Sequence, residues 1–153
     1  MKFDVSSIPS SSVIDEASIT FTTKTGKGVN NTFNLYAYGH DFDEATATWN
    51  VPCGGAPAGG STNGTLLTSA TFDTTVADQE ITFGDAAALR SAVAAALAGD
   101  GFLRMILANA DESVTSNFAL FWDDEAAASA AFNSPKLEVI SHEPPKGTVI
   151  SVK

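Results

Sequence analysis

The chain of 153 residues carries a single cysteine, Cys53, so no disulfide can form within it. That scarcity is neutral on compartment. Cys53 lies in a Pro/Gly-rich loop with no His beside it, which reads as a solvent-edge thiol rather than a nucleophile. Histidine is nearly as scarce: His40 and His142 stand far apart and in no metal-ligand spacing. No G-x-S-x-G, G-x-x-x-x-G-K or G-x-G-x-x-G is present, which leaves nucleophile elbows, P-loops and dinucleotide folds without a sequence basis. A glycosidase needs two carboxylates about 5–10 Å apart, and among 18 acidic residues nothing singles out such a pair. The expectation is a protein that is not an enzyme.

Basic residues are also few. Between Gly28 and Pro135 only Arg90 and Arg104 are basic, against 13 acids from Asp41 to Glu125, and the net charge is −10. Nucleic acid and anionic lipid are held chiefly by Lys and Arg, so no nucleic-acid partner is expected, and polyanionic glycans are disfavoured. No apolar run approaches the roughly 20 residues of a membrane helix. The longest candidate, Ala86–Ala98, is interrupted by Arg90 and Ser91, so no membrane span is expected. Met1-Lys2 runs straight into Phe3-Asp4-Val5, and a secreted product would therefore have lost any leader.

What is present is a core. Hydrophobic residues make up 44% of the chain and ten of them are Phe, enough for one packed domain. Alternation marks strands at Met1–Val5, Val13–Thr23, Phe33–Tyr38, Thr46–Trp49, Thr65–Thr75 and Gln79–Phe83, with further strands at Asn117–Trp122 and Leu137–Ile140. Phe102–Ala108 is almost continuously apolar and reads as a central strand buried on both faces. Lys24–Asn31 reads as a turn, and Val51–Gly64 as a long loop. One helix is expected at about 85–98, with Asp85 as N-cap, Leu89, Val93 and Leu97 facing inward, and Gly99 as a left-handed stop. The fold class is therefore all-β, an antiparallel β-sandwich or jelly roll with one short Ala-rich helix. Residues 1–141 form the domain, and residues 142–153 a linker or strand-donating tail.

Four stretches carry a resemblance. They are M-K-F-D-V-S-S-I-P at Met1–Pro9, H-D-F-D-E-A-T-A-T-W-N at His40–Asn50, F-W-D-D-E at Phe121–Glu125 and P-K-L-E-V at Pro135–Val139. In order and spacing they resemble the DNRLRE-type domain, a secreted β-sandwich grouped with carbohydrate-binding modules of polysaccharide-degrading bacteria. The resemblance implies a non-catalytic polysaccharide-binding module, secreted or at the cell surface. The acidity of this chain departs from relatives associated with alginate. So does its start, because such domains normally carry a strand before the F-D-x-S-S-I-P motif. An open strand slot is the resulting expectation. The alternating tail G-T-V-I-S-V-K at Gly147–Lys153 would fill it, within the chain or in a neighbouring copy. The alternative function is thus a structural module of a surface or fibre protein, with copies of itself or a larger surface protein as partner.

Sugar sites rely on aromatic rings stacked against the sugar face. Tyr36 and Tyr38, with Asn34 on the same strand face, are the clustered candidates, and Trp122 is a second one, whereas Trp49 reads as core. The competing reading packs Tyr36 and Tyr38 beneath the helix. Asp41, Asp43 and Glu44 form an oxygen-rich turn that suits a structural Ca²⁺, and Asp123, Asp124 and Glu125 form another. Solvated turn acids are the alternative for both sets.

Overall fold

Fifteen residues of unbroken strand, Val13–Lys27, form β2, the longest element of the computed structural model, which describes residues 1–28, 30–42, 64–111, 113, 118–121 and 134–144. Its β-branched and aromatic alternation buries Ala17, Ile19 and Phe21 on one face. The remaining elements are β1 (Lys2–Asp4), β3 (Asn31–Ala37), β4 (Leu66–Phe72), β5 (Glu80–Phe83), α1 (Ala87–Ala98), β6 (Phe102–Asn109), β7 (Phe118–Phe121) and β8 (Lys136–His142). They make two antiparallel sheets. One has the order β1-β6-β3-β4; in the other, β2 pairs with β5, β7 and β8. The expected all-β sandwich with one short helix is what the chain forms. The expected strand through Thr46–Trp49 and the tail beyond Pro144 lie outside the described residues.

The two inner faces share one core of Phe, Leu, Ile and Val, which includes Phe21, Phe33, Leu35, Phe83, Leu103 and Met105. Phe121 bridges the sheets, with its ring 5.4 Å from Phe21 on its own sheet and 6.0 Å from both Phe33 and Phe72 on the other. The helix packs against β2, β4 and β6 and buries Leu89, Val93, Ala96 and Leu97, so it covers the core against strands of both sheets. The inward stripe expected from the sequence is thus correct, with Ala96 added.

Several local expectations give way. The segment from Lys24 is not yet a turn, because β2 continues to Lys27, and the chain reverses at Gly28 (φ 106°) and Asn30 (φ 56°). Gly26 serves close approach instead: a Cβ there would lie 2.5 Å from the Phe118 carbonyl oxygen and 2.6 Å from that of Thr74. Asp85 does not cap α1. The N-cap is Ala86, and the Asp85 carboxylate accepts the Ala17 backbone N–H at 3.0 Å and pairs with Arg90. Gly99 has φ −100°, so the left-handed residue is Gly101 (φ 82°), and both donate to the Ala96 carbonyl. Strand β6 is central but alternates, with Leu103 and Met105 buried and Phe102, Arg104 and Ile106 half-buried on the outer face. A lone Arg in an apolar run can remain only where its head reaches solvent or a partner.

A small polar knot closes one end of the core. The Thr23 side chain, 0% exposed, donates to the Val76 carbonyl at 2.7 Å and accepts the Gln79 N–H at 3.0 Å. Beside it, buried Asn31 donates to the Lys27 carbonyl and to Thr74, whose hydroxyl donates to the Gly28 carbonyl. Thr23→Val keeps the shape but strands the Gln79 N–H, so it should cost about 1–3 kcal/mol. Thr23→Ser keeps the hydroxyl and should cost roughly 1 kcal/mol or less. Urea unfolding of the two variants checks the order; equal losses would mean that the hydroxyl contributes nothing.

Candidate functional site

The outer face of the β1-β6-β3-β4 sheet collects the aromatic candidates. Strand β3 alternates strictly: Asn31, Phe33 and Leu35 point inward, leaving Thr32, Asn34 and Tyr36 half-buried on the outer side. The register sets Tyr36 between Ile106 of β6 and Leu66 of β4, and Asn34 between Ala108 and Ser69. The Asn34 side-chain amide donates to the Tyr36 hydroxyl at 3.0 Å, which fixes both side chains on one surface. Tyr38 follows the strand end, donating its backbone N–H to the Arg104 carbonyl at 2.9 Å. Its ring stands 5.4 Å from the His40 imidazole and 6.2 Å from the Phe42 ring. Neither tyrosine belongs to the buried core, so the reading that packs them beneath the helix does not hold. The structure joins Asn34 to Tyr36 on the outer side of β3 and sets Tyr38 just past the strand end beside His40 and Phe42; Trp122, Asp43 and Glu44 lie outside the described residues.

Next to the tyrosines lies a cluster that sequence reasoning missed. Lys2 pairs across the sheet with Arg104, and Asp4 with Phe102. The Arg104 guanidinium grips the Asp100 carboxylate with both terminal nitrogens, at 3.1 and 2.7 Å, and its Nε donates to Asp41 at 3.0 Å. The Lys2 ammonium lies 3.6 Å from the same Asp41 oxygen and donates to the Phe42 carbonyl at 3.3 Å. It also sits 5.1 Å from the Phe102 ring centre and 5.7 Å from that of Phe42, while the Arg104 head lies 5.5 Å from the Phe102 ring. One signal did exist in the sequence. Arg104 is the sole charge in F-L-R-M-I-L-A, and a charge there requires a partner.

Asp41, expected as a cation ligand, therefore faces two cations already belonging to the protein. Among the described residues no group of three or more His, Cys, Asp or Glu is arranged to hold a metal. Hydrogen bonding from Arg104 holds both the Asp41 and Asp100 carboxyls below the ordinary aspartate value of 3.8, and the bond to Asp100 raises Arg104 in turn.

No family model, no curated protein and no solved structure matches the chain. The likeness to DNRLRE-type domains rests on its four sequence stretches alone.

The ion-pair cluster has a pH signature. Because the two carboxyls titrate lower in the folded chain than in the unfolded one, their contribution is complete above the ordinary value of 3.8. It is lost as pH falls through the lower folded values. Arg104→Met should flatten this part of the acid-side fall in Tm, whereas melting above neutrality should keep its pH dependence. Thermal scans from pH 2 to 9 check it, and identical acid-side slopes would show that the pairing adds nothing to stability.

Proposed function

We propose that the chain is a non-catalytic, extracellular carbohydrate-binding-like module that holds a polysaccharide along the outer face of the β1-β6-β3-β4 sheet. One observation carries this reading: Tyr36, half-buried on the outer side of β3, is bonded by Asn34, and the half-buried Tyr38 follows directly past the strand end, tied by its N–H to the Arg104 carbonyl of β6. A tyrosine ring offers a flat apolar surface to the C–H face of a sugar and a hydroxyl to its rim. Ile106 and the exposed Leu66 extend the apolar surface on either side of Tyr36. In this reading Tyr36 and Tyr38 stack, Asn34 orients, and no residue performs chemistry. The four DNRLRE-like stretches and the net charge of −10 are compatible with a secreted or cell-surface setting.

Affinity electrophoresis against a panel of neutral and acidic polysaccharides tests it. Tyr36→Ala combined with Tyr38→Ala should abolish retention while leaving the melting temperature nearly unchanged. A loss of several kcal/mol in stability would mean that the rings serve packing instead.

A second reading, assembly by β-strand addition, is favoured by a different feature. Among the described residues β1 pairs only with β6, and β8 only with β2. Between their free edges lies a cleft of about 270 Å³ that includes Phe3, Val5, Ile8, Leu137 and Val139 in its walls. An alternating segment such as Thr148–Val152 of a second copy has the pattern such an edge accepts. Deleting Thr148–Lys153 should then lower the molar mass measured by light scattering, and an unchanged mass removes this reading.

A further inference from the structure

Resting on the glycan-binding reading, we infer that the outer face selects neutral glycans and excludes polyanionic ones, because its arginine and lysine are neutralised from within and its carboxylates are what faces solvent. The exposures decide this. The Arg104 side chain is 12% exposed and that of Lys2 28%, whereas Asp41 is 71% and Asp100 58% exposed. Every nitrogen of the guanidinium already has a partner: Nε and one terminal nitrogen reach Asp41, and both terminal nitrogens grip Asp100. One of them also donates to the Phe102 carbonyl at 3.3 Å. The Lys2 ammonium is spent on Asp41, on the Phe42 carbonyl and on two aromatic faces.

Two cations facing two carboxylates sum to zero, and Asp4, paired with Phe102 on the same face, adds a further negative charge. A uronate or sulfate arriving here would have to displace a carboxylate that the chain holds at no loss of translational freedom. It would also approach the exposed oxygens of Asp41 and Asp100 at close range. A neutral sugar meets the opposite situation. Its hydroxyls are donors, and ionised carboxylates offer unused lone pairs to them. The cluster adjoins the tyrosines directly, since the Tyr38 N–H is bonded to the Arg104 carbonyl and the Tyr38 ring neighbours Phe42. Stacking on Tyr36 and Tyr38 would therefore bring the next sugar to these acceptors. In this arrangement Lys2 and Arg104 are positioning residues: they hold the carboxylates in place and do not touch the glycan.

The test uses the full chain at low ionic strength, run through gels containing a neutral β-glucan, a galactomannan or a polyuronate. Wild-type protein should be retarded by a neutral polymer and not by the polyuronate. The variant Asp41→Asn, Asp100→Asn should gain retention on the polyuronate, removable by salt, and lose about three- to tenfold on the neutral polymer, the scale of one or two charged contacts. Polyuronate retention of the wild type would overturn the inference and leave the glycan reading intact. Retention on neither class would remove the glycan reading, and this inference with it. The wild-type comparison decides even if the double variant fails to fold.

Discussion

Strand β2 is paired along both edges, and its whole sheet is built on those pairings. Its residues Ile19–Thr22 bond β5 on one side, while Val13–Thr20 bond β8 and Thr23–Lys27 bond β7 on the other. Phe21 sits where these pairings meet, edge-on to Phe83 and 5.4 Å from Phe121. The irregularity between Thr23 and Thr25 bends the strand where β8 gives way to β7. At that bend the Thr23 hydroxyl donates to the Val76 carbonyl and accepts the Gln79 N–H, which satisfies two backbone groups of the adjoining turn. Aromatic packing supplies the attraction between the sheets, and this small polar knot sets where one of them ends.

The outer face depends on that inner order. Because Phe33 and Leu35 must enter the core, the period of two sends Asn34 and Tyr36 outward without further specification. Likewise Leu103 and Met105, buried at 3% and 0%, oblige Arg104 to emerge between them. The candidate site is thus the reverse side of the core, and what remained to be arranged was charge. Asp41 and Asp100 come from segments 59 residues apart and meet over one guanidinium, which gives the loop after β3 a fixed footing on β6.

Where a residue's partners lie close in sequence or repeat with a period, the sequence was readable. The strands, the helix with Leu89, Val93 and Leu97 facing in, and the two faces of β3 all follow from alternation or from a helical stripe. Asp85 does not cap because an N-cap is a local rule and the backbone N–H that its carboxylate accepts, that of Ala17, is 68 residues away. Gly26 looked like a turn residue because nothing local reveals that Phe118 and Thr74 crowd it. The continuous apolar look of Phe102–Ala108 concealed that only one face is deeply buried, since half-covered Ile106 and Phe102 are written with the same letters as core. In the site, the tyrosines were legible from strand period. The Lys2–Asp41–Arg104–Asp100 cluster was not, because apart from Asp100 and Arg104 its members come from segments far apart in sequence.

The strand pairings also impose an order in time. Strand β1 finds its neighbour at Leu103 only after about a hundred residues of intervening chain, and Val13 of β2 meets His142 later still. Such distant partners place the chain among slow-folding topologies, because the entropy of closing large loops is spent before the reward arrives. On a ribosome β2 would emerge before β5, β7 and β8, so both of its edges wait for partners, and the edge that takes β7 and β8 waits longest. Its exposed Lys24 and Lys27, and the charged Asp15 and Glu16 near the other end, then act as guards that discourage a premature partner along that edge.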